Sequence, residues 1–212
     1  TLEEANDVIA GFALDAARWS PRTETDMMRY CYHVAGAVGI MMARIMGVHP
    51  DDGETLDRAC DLGLAFQLAN IARDIVEDAQ AGRCYLPRTW LDEMGWEQGE
   101  HALPENRFRL ASLMPRLIGM MEKYEAASKL GARRLRFRQR WAVLAAARIY
   151  GAIGRKVLTR GQLAWDSRTR VSGPEKLWHM TAAFFEAIVN RPQGPSEPIL
   201  WSRHDFRPVT GW

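Results

Sequence analysis

Four polar residues lie at helical spacing in the segment QLANIARDIVED, residues 67–78. Gln67, Asn70, Asp74 and Asp78 are separated by three, four and four residues, so on a helix they share one face. Carboxylate and amide oxygens are ligands that Mg²⁺ accepts, together with water and phosphate oxygens. The three residues from Asn70 to Asp78 span about 12 Å of helix, which is enough for more than one ion. We therefore predict that Asn70, Asp74 and Asp78 bind metal.

A solvated helix face is the simpler explanation for such a polar stripe. The surrounding segment, 62–78, argues against it, because apolar residues cover most of the remaining circumference and no lysine is present. Two carboxylates four residues apart also repel each other, and a divalent cation would offset that repulsion. Arg73 and Arg83 are suited to bidentate contacts with phosphate. The pattern favours half of a metal–diphosphate site that borders an apolar cavity.

The elements that must position these residues are helices, because helical periodicity dominates the chain and strand alternation is nearly absent. We predict one all-α domain over residues 1–190, with long helices packed around a pocket. Residues 191–212 contain four prolines and no period, so they are predicted to be an irregular Pro-rich tail. The helices are predicted at about 3–17, 24–47, 54–79, 106–129, 139–164 and 174–190.

The composition is that of an ordinary globular protein, with 212 residues, 47 % hydrophobic residues, 25 % charged residues and a net charge of +2. The charge is too small to indicate nucleic-acid binding by itself, and no nucleic-acid partner is predicted.

Three cysteines without paired short spacings argue against a disulfide framework or a zinc site and favour a reducing, cytoplasmic compartment. Cys31 and Cys60 are predicted to be core side chains. The most apolar stretch, 34–48, contains Arg44 and is shorter than the ~20 residues of a membrane-spanning helix.

Local charge is concentrated in the segment 131–140, which carries five arginines. An exposed helix start rich in arginine is one interpretation. A surface for anionic lipid, with peripheral membrane association, is the other, and a contact with a diphosphate is a variant of it. The sequence leaves these alternatives open.

Small residues dominate the segment from Ala35 to Ala43, which includes Gly36, Ala37 and Gly39. Such a helix permits close packing against a neighbouring helix. The same small surface also leaves room for long isoprenoid chains, and both interpretations stand.

Two of these segments resemble a known family. NIARDIVEDAQAGRCYLP, residues 70–87, closely resembles the second aspartate-rich motif of the squalene/phytoene synthase family, the head-to-head trans-prenyltransferases. YCYHVAGAVGIMM, residues 30–42, resembles the helix that precedes this motif. The sequence of residues 57–75 is most similar to the bacterial phytoene synthases. The resemblance covers nearly the whole chain before the tail and implies a trans-isoprenyl diphosphate synthase fold with a central hydrophobic pocket.

The resemblance also implies roles for individual residues. Asn70 and Asp74 match magnesium-binding positions, and Asp78 is the second acid of the motif. Gln67 and Arg73 match positions that contact the diphosphate.

Further positions are implied in the same way. Arg83 matches the last arginine of the motif, Tyr30 matches the first tyrosine of YCYxVAG, and Tyr150 matches a tyrosine near the substrate. The residues expected to act in catalysis are Asp74, Asp78, Tyr30 and Arg73. The residues expected to form the pocket wall are Val34, Ala35, Val38 and Gly39.

The implied reaction is the condensation of two geranylgeranyl diphosphates through a cyclopropyl diphosphate to phytoene, with release of pyrophosphate. The implied cofactor is Mg²⁺, or Mn²⁺ in its place, and no NADPH is expected for phytoene. One alternative is a dehydrosqualene or squalene synthase that acts on farnesyl diphosphate. Another is a non-catalytic helical domain that only binds a prenyl diphosphate or packs against a partner. The oligomeric state is not predicted.

One feature of the family pattern is not found. The family has a first aspartate motif upstream of YCYHVAG, and Asp7, Asp15 and Asp26 do not form it. Asp57 and Asp61 have the D-x-x-x-D spacing but directly precede the second motif, so we interpret them as an accidental match. We therefore expect an N-terminally truncated member of the family that lacks its first helices, and inactivity of this chain alone is one expected consequence.

Overall fold

The structure is a computed structural model that describes residues 2–189, 199 and 201–207. Every regular element in these ranges is helical, which confirms the predicted all-α class. The α-helices are α1 Leu2–Ala16, α2 Glu24–Cys31, α3 Ala37–Ile45, α4 Gly53–Gln80, α5 Arg88–Glu93, α6 Arg107–Ala132, α7 Phe137–Arg160 and α8 Gly173–Val189. Short 3-10 turns occur at Glu100–Ala102, Pro104–Asn106, Gly161–Trp165 and Arg203–Asp205.

The predicted helix 24–47 differs from the observed structure. It consists of α2, a π-helical turn at Tyr32–Gly36, and α3. The Tyr32 hydroxyl donates to a carboxylate oxygen of Asp7 on α1 at 2.8 Å, so the turn is tied to its neighbour. Apolar periodicity does not distinguish one wider turn from a regular one, and such turns are frequent at functional sites. The six-residue helix α5 was also not predicted, because it is too short to establish a period.

Helix α4 is the central element, as its apolar circumference predicts. It packs against α2, α3, α6 and α7. Leu64 and Leu68 are fully buried, and burial of each such side chain contributes about 1.5–3 kcal/mol relative to exposure. Because α4 is fixed on several sides, the polar residues along its length occupy defined positions.

Two glycines bring the backbones of neighbouring helices together. A Cβ atom at Gly39 would lie 2.3 Å from the carbonyl oxygen of Ala59 on α4, and a Cβ atom at Gly63 would lie 2.2 Å from that of Ala35. Neither position accepts a side chain without backbone movement. The small residues of 35–43 therefore allow close helix packing, which is the first of the two interpretations given above.

Residues 201–207, the C-terminal strap, lie against the outer side of α4. The Trp201 indole nitrogen donates to Asp61 at 2.8 Å, and Arg203 pairs with Asp57 at 2.5 Å. Apart from residue 199 and the strap, the predicted tail 191–212 lies outside the described residues. The division into a 1–190 domain and a tail stays a prediction.

Two predictions from composition concern the described residues. Cys31, Cys60 and Cys84 are all buried and free, so Cys31 and Cys60 are core side chains as predicted. None of the described helices has the length and apolar character that a membrane crossing requires.

Candidate active site

An apolar cavity of about 420 Å³ lies between α4, the π turn, α3, and the facing parts of α6 and α7. The predicted wall residues Val34, Ala35, Val38 and Gly39 all line it. The small residues of 35–43 therefore serve both interpretations, since one side packs on α4 and another borders the cavity.

Polar groups enter the cavity from α4 and α7. Gln67 and Asn70 of α4 and Tyr150 of α7 line it, and Phe66 stacks on Tyr150 with ring centroids 4.0 Å apart. The structure thus brings three predicted ligand-binding residues to the same cavity as the predicted wall. Phe66 was not singled out by the sequence, where it is one apolar residue among many.

The acidic residues follow Asn70 along the same helix. Asp74 and Asp78 have side chains that are each 16 % exposed. Arg73 Nε donates to Asp74 Oδ1 at 2.7 Å, and Arg83 Nη2 lies 3.4 Å from Asp78 Oδ1. The predicted acids and arginines therefore form one cluster, in which each acid is paired with a predicted arginine.

An arginine that the sequence did not indicate completes this cluster. Arg168 follows the 3-10 turn Gly161–Trp165, and its guanidinium lies 3.2 Å from both Asp74 Oδ1 and Glu77 Oε2. Asp74 is thus contacted by two guanidinium groups, one from its own helix and one from a distant segment. A separation of 94 residues between Arg168 and Asp74 leaves no periodic signal in the sequence.

The electrostatics of the cluster favour a bound cation. Burial raises the pKa of Asp78 to about 6, Arg83 opposes this effect, and the negative charges of Asp74, Asp15 and Glu77 add to it. The hydrogen bond that Arg73 donates to Asp74 raises the pKa of Arg73, although burial lowers it. Carboxylates crowded in this way gain from an additional positive charge.

The donor set fits Mg²⁺ only with ligands from elsewhere. Among the described residues, no three Asp, Glu, His or Cys side chains converge to hold a metal ion by themselves. Mg²⁺ is commonly held by one or two carboxylates, with waters and substrate phosphates in its other positions. Asp74, Asp78 and the amide of Asn70 provide donors of that kind. Their assignment as metal ligands stays a prediction.

Tyr30 lies outside the cavity lining and belongs to a separate aromatic network. It is buried, its ring stacks on Tyr85 at 4.8 Å, and both hydroxyls donate to Asp15 Oδ1, at 2.9 and 2.7 Å. Burial raises the pKa of both phenols, that of Tyr85 to about 12. Both phenols are therefore neutral at physiological pH. The expected catalytic role of Tyr30 stays a prediction.

This network lies next to the acidic cluster. Tyr85 and Asp78 line the same small pocket, and the charge of Asp15 contributes to the raised pKa of Asp78. Asp15 and Tyr85 were not identified as site residues from the sequence. Tyr85 lies within residues 70–87, the segment that resembles the family motif, and could have been considered on that ground. The residues around Asp15 in the sequence match no motif.

The geometry separates two chemical environments within one site. The cavity accommodates an apolar chain, and the cluster of acids and arginines at Asp74 and Asp78 suits a metal-bound diphosphate. The two meet at Gln67 and Asn70, which belong to the cavity and lie on the helix face of the acids.

A match to a protein-family model identifies the family of this chain. The squalene/phytoene synthase family model matches residues 1–175. The chain belongs to the squalene/phytoene synthase family. The predicted family is thereby confirmed, and the all-helical fold agrees with it.

Relatives and solved structures of the family give the same result. The chain is 49 % identical over 201 residues to the 15-cis-phytoene synthase of Enterobacter agglomerans, covering 94 % of this chain and 68 % of that protein. It is 50 % identical over 210 residues to the phytoene synthase of Pseudescherichia vulneris, covering 96 % and 66 %. A crystal structure of a dehydrosqualene synthase in complex with ligand matches with a TM-score of 0.79 and 28 % identity, covering 88 % of this chain and 65 % of that chain.

A second solved structure supports the fold alone. The squalene synthase HpnC from Alicyclobacillus acidocaldarius matches with a TM-score of 0.70 and 20 % identity, over 76 % of this chain and 60 % of that chain. The chain spans about two thirds of the length of these family members.

Proposed function

We propose that this member of the squalene/phytoene synthase family condenses two geranylgeranyl diphosphates head-to-head to phytoene, in carotenoid biosynthesis. The observation that carries the proposal is the continuity between the apolar cavity and the acid–arginine cluster along one face of α4. The similarity to bacterial phytoene synthases at about half of all positions supports it.

The cavity binds the isoprenoid chain. Val34, Val38 and Phe66 provide apolar walls, and the closely packed glycines keep the neighbouring backbones fixed. The substrate is a long hydrocarbon with a charged head, so it is oriented by burial of the chain at one end and by charge at the other.

The acid–arginine cluster binds the diphosphate. Arg73 and Arg168 both contact Asp74. When the diphosphate binds, we expect both guanidinium groups to turn part of their hydrogen bonding toward phosphate oxygens. Mg²⁺ held by Asn70, Asp74 and Asp78 would neutralise the charge of the leaving pyrophosphate.

The protein then controls the carbocation. Loss of pyrophosphate leaves an allylic cation, which the double bond of the second substrate attacks to give a cyclopropyl diphosphate. A second ionisation, rearrangement and proton loss give phytoene. The apolar walls exclude water, which would capture the cation as an alcohol. The stacked rings of Phe66 and Tyr150 offer π faces beside the cavity.

A second candidate is the condensation of two farnesyl diphosphates to dehydrosqualene. It is favoured by the likeness to the solved dehydrosqualene synthase, whose backbone matches with a TM-score of 0.79. Both reactions use the same acid–arginine cluster and differ in the length of chain that the cavity accepts. Neither requires NADPH, whereas formation of squalene does.

The test of the function is a substrate competition with Mg²⁺ present. The chain, and a longer version that carries an upstream D-x-x-x-D segment, are incubated with equal amounts of the C20 and C15 diphosphates, and products and pyrophosphate are measured. Phytoene as the main product supports the proposal, and dehydrosqualene supports the second candidate. Pyrophosphate binding without product in both versions would leave a binding domain and contradict both catalytic proposals.

The cellular setting that we propose is cytoplasmic, with peripheral association with a membrane. The five arginines of 131–140 suggest it, and a hydrocarbon product requires an apolar destination. The structure allows the contact surface to be specified further.

A further inference from the structure

The outer face of α8 is mostly apolar, with the exposed Thr181 as a polar residue within it. Leu177, Trp178, Phe185, Ile188 and Val189 are between 55 % and 68 % exposed. Successive residues of a helix are 100° apart, so these five side chains fall within one stripe, about 18 Å long at 1.5 Å per residue. Five large apolar side chains on one exposed helix face are more than isolated surface residues, and such patches mark interaction sites.

The opposite face of α8 already has its partner within the fold. Ala183 and Ala187 are fully buried, and Trp141 of α7 donates its indole N–H to the carbonyl of Met180 at 2.9 Å. The two acids of α8 are both paired toward α7, Glu175 with Lys156 and Glu186 with Arg148. The outer stripe therefore carries no acidic side chain and is not needed to hold α8 in place.

Basic residues border this stripe at its C-terminal end. Arg140 donates to the carbonyl of Ala187 at 3.1 Å, and Phe137 packs edge-on against Phe184 at 5.5 Å, so the start of α7 lies beside the end of α8. Arg136 and Arg138 are exposed on either side of Phe137. A tryptophan and several aliphatic residues next to arginines are the combination that suits the boundary between lipid headgroups and acyl chains.

The same region lies at the apolar end of the cavity. Leu135, Ala142 and Val143 line the cavity and flank the exposed residues 136–138 in sequence. The Gln139 amide donates to the carbonyl of Met46, another cavity residue, at 2.8 Å. The acid–arginine cluster lies toward the far end of α4, so the charged and apolar ends of the site point to different surroundings.

We propose that the outer stripe of α8 together with Arg136, Phe137 and Arg138, here called the α8 surface, binds an anionic lipid membrane. The chain would lie on the membrane with the apolar end of the cavity toward the bilayer and the diphosphate end toward water. The proposal that this surface binds a membrane is based on its exposed apolar residues and its charge. Its use for delivery of a hydrocarbon product rests on the proposed function.

A second copy of the chain is one competing occupant of the α8 surface. The arginines favour the membrane, because two copies that meet through this surface would bring positive charges together without acids on the stripe to balance them. Each arginine near an anionic bilayer instead gains from the surface potential, an effect that decays within about 8 Å at physiological salt.

Vesicle co-sedimentation tests the proposal on the whole chain. We expect binding to vesicles of phosphatidylglycerol and phosphatidylcholine, with weaker binding as salt is raised. The double variant W178S/F185S is expected to bind at least about tenfold more weakly, and R136Q/R138Q to lose about tenfold on anionic but not on neutral vesicles. The matched control is F12S, which removes a 61 % exposed phenylalanine from α1.

A site-specific label identifies the contacting face. The native cysteines are all buried, so an environment-sensitive dye attached at F185C reports that position, and a dye at F12C serves as its control. A blue shift on vesicle addition is expected at position 185 and not at position 12. Absence of vesicle binding, equal shifts at both positions, or full binding by W178S/F185S would overturn the proposal.

Two measurements separate this outcome from others. A dimer in sedimentation equilibrium without vesicles, abolished by W178S/F185S, would assign the surface to a second copy and overturn the membrane proposal. The variant D74A is expected to bind vesicles like the parent chain. Vesicle binding is therefore tested independently of the catalytic proposal.

Discussion

Asp57 and Asp61 near the start of α4 have the same four-residue spacing as Asp74 and Asp78 near its end, but the protein surrounds the two pairs differently. Asp61 is 1 % exposed and accepts a hydrogen bond from Trp201, and Asp57 is paired with Arg203. Each acid of this first pair has a partner in the C-terminal strap, and Asp61 is also paired with Arg58 of α4. The acids serve to hold a segment of the chain in place.

The second pair lies beside the cavity, and the exposure of its acids is similar to that of Asp57 in the first pair. Its arginine partners come from α4 itself, from the loop after it, and from the segment after α7, and they leave each acid 16 % exposed. The comparison shows that the D-x-x-x-D spacing fixes only a common helix face. The two pairs differ in their surroundings, because the first binds the strap and the second lies beside the apolar cavity.

The largest expected difference between the pairs concerns Asp74. Asp74→Ala removes a predicted metal ligand, so we expect turnover of geranylgeranyl diphosphate to fall by about 10²–10³-fold or more, with loss of Mg²⁺-dependent pyrophosphate binding. The control is Asp57→Ala, which should retain both. Binding is measured by calorimetry on the chain itself, and turnover in whichever version of the protein is active. Equal losses in the two variants would contradict the distinction between the pairs.

Asp61→Ala should have the largest effect on stability. It leaves the buried guanidinium of Arg58 without its carboxylate at 3.1 Å and removes the acceptor of Trp201. Breaking a buried ion pair costs about 3–5 kcal/mol, and we expect the free energy of unfolding to fall by about 3 kcal/mol. Urea denaturation measures it. Pyrophosphate binding at a temperature where the variant remains folded should be unchanged, and its loss would show that the two ends of α4 are coupled.

The positions of the second acid pair could be predicted from the sequence, whereas most of the residues around it could not. Asn70, Asp74 and Asp78 are local in sequence, so helical spacing alone placed them on one face, and apolar periodicity placed α4 in the interior. Arg168, Asp15 and the strap could not be predicted, because their contacts join residues that are far apart in the chain. The π turn was missed for a different reason: one wider turn barely alters an apolar period.

Burial raises the pKa of Asp61 in the first pair to about 7, and the raised pKa of Asp78 gives a prediction for the second pair. For Asp78, the folded-state pKa of about 6 lies above the ordinary carboxyl value of 3.8, so the ionised carboxylate destabilises the fold at higher pH. The cost is absent below about pH 4, grows between pH 4 and 6, and is complete above pH 6.

Asp78→Asn should therefore stabilise the protein by about 1–2 kcal/mol at pH 7.5 and by nothing below about pH 4. At the same time it should weaken Mg²⁺–pyrophosphate binding, because a predicted ligand is lost. Thermal unfolding over pH 4–8 measures the first effect and calorimetry the second. A destabilised variant at pH 7.5 would show that Asp78 serves the fold, as the first pair does.

The smallest expected effect concerns Arg168, which contacts Asp74 and Glu77 and whose side chain is 43 % exposed. Exposed ion pairs contribute about 0–1 kcal/mol to stability, so Arg168→Gln should change the free energy of unfolding by less than about 0.5 kcal/mol. A guanidinium next to a diphosphate is worth more than one next to an exposed acid, because it makes charge-assisted hydrogen bonds to the ligand. We therefore expect pyrophosphate binding to weaken by about tenfold.

The matched control for Arg168→Gln is Arg134→Gln at the other end of α4. Arg134 is 49 % exposed and pairs with Asp52 and Glu54, so its loss removes a similar surface ion pair without a ligand nearby. Calorimetric titration with pyrophosphate and Mg²⁺ should distinguish the two variants, while urea denaturation should not. If both variants bind pyrophosphate like the parent, Arg168 only neutralises Asp74. That result would make this contact of the second pair resemble the Arg203–Asp57 contact of the first.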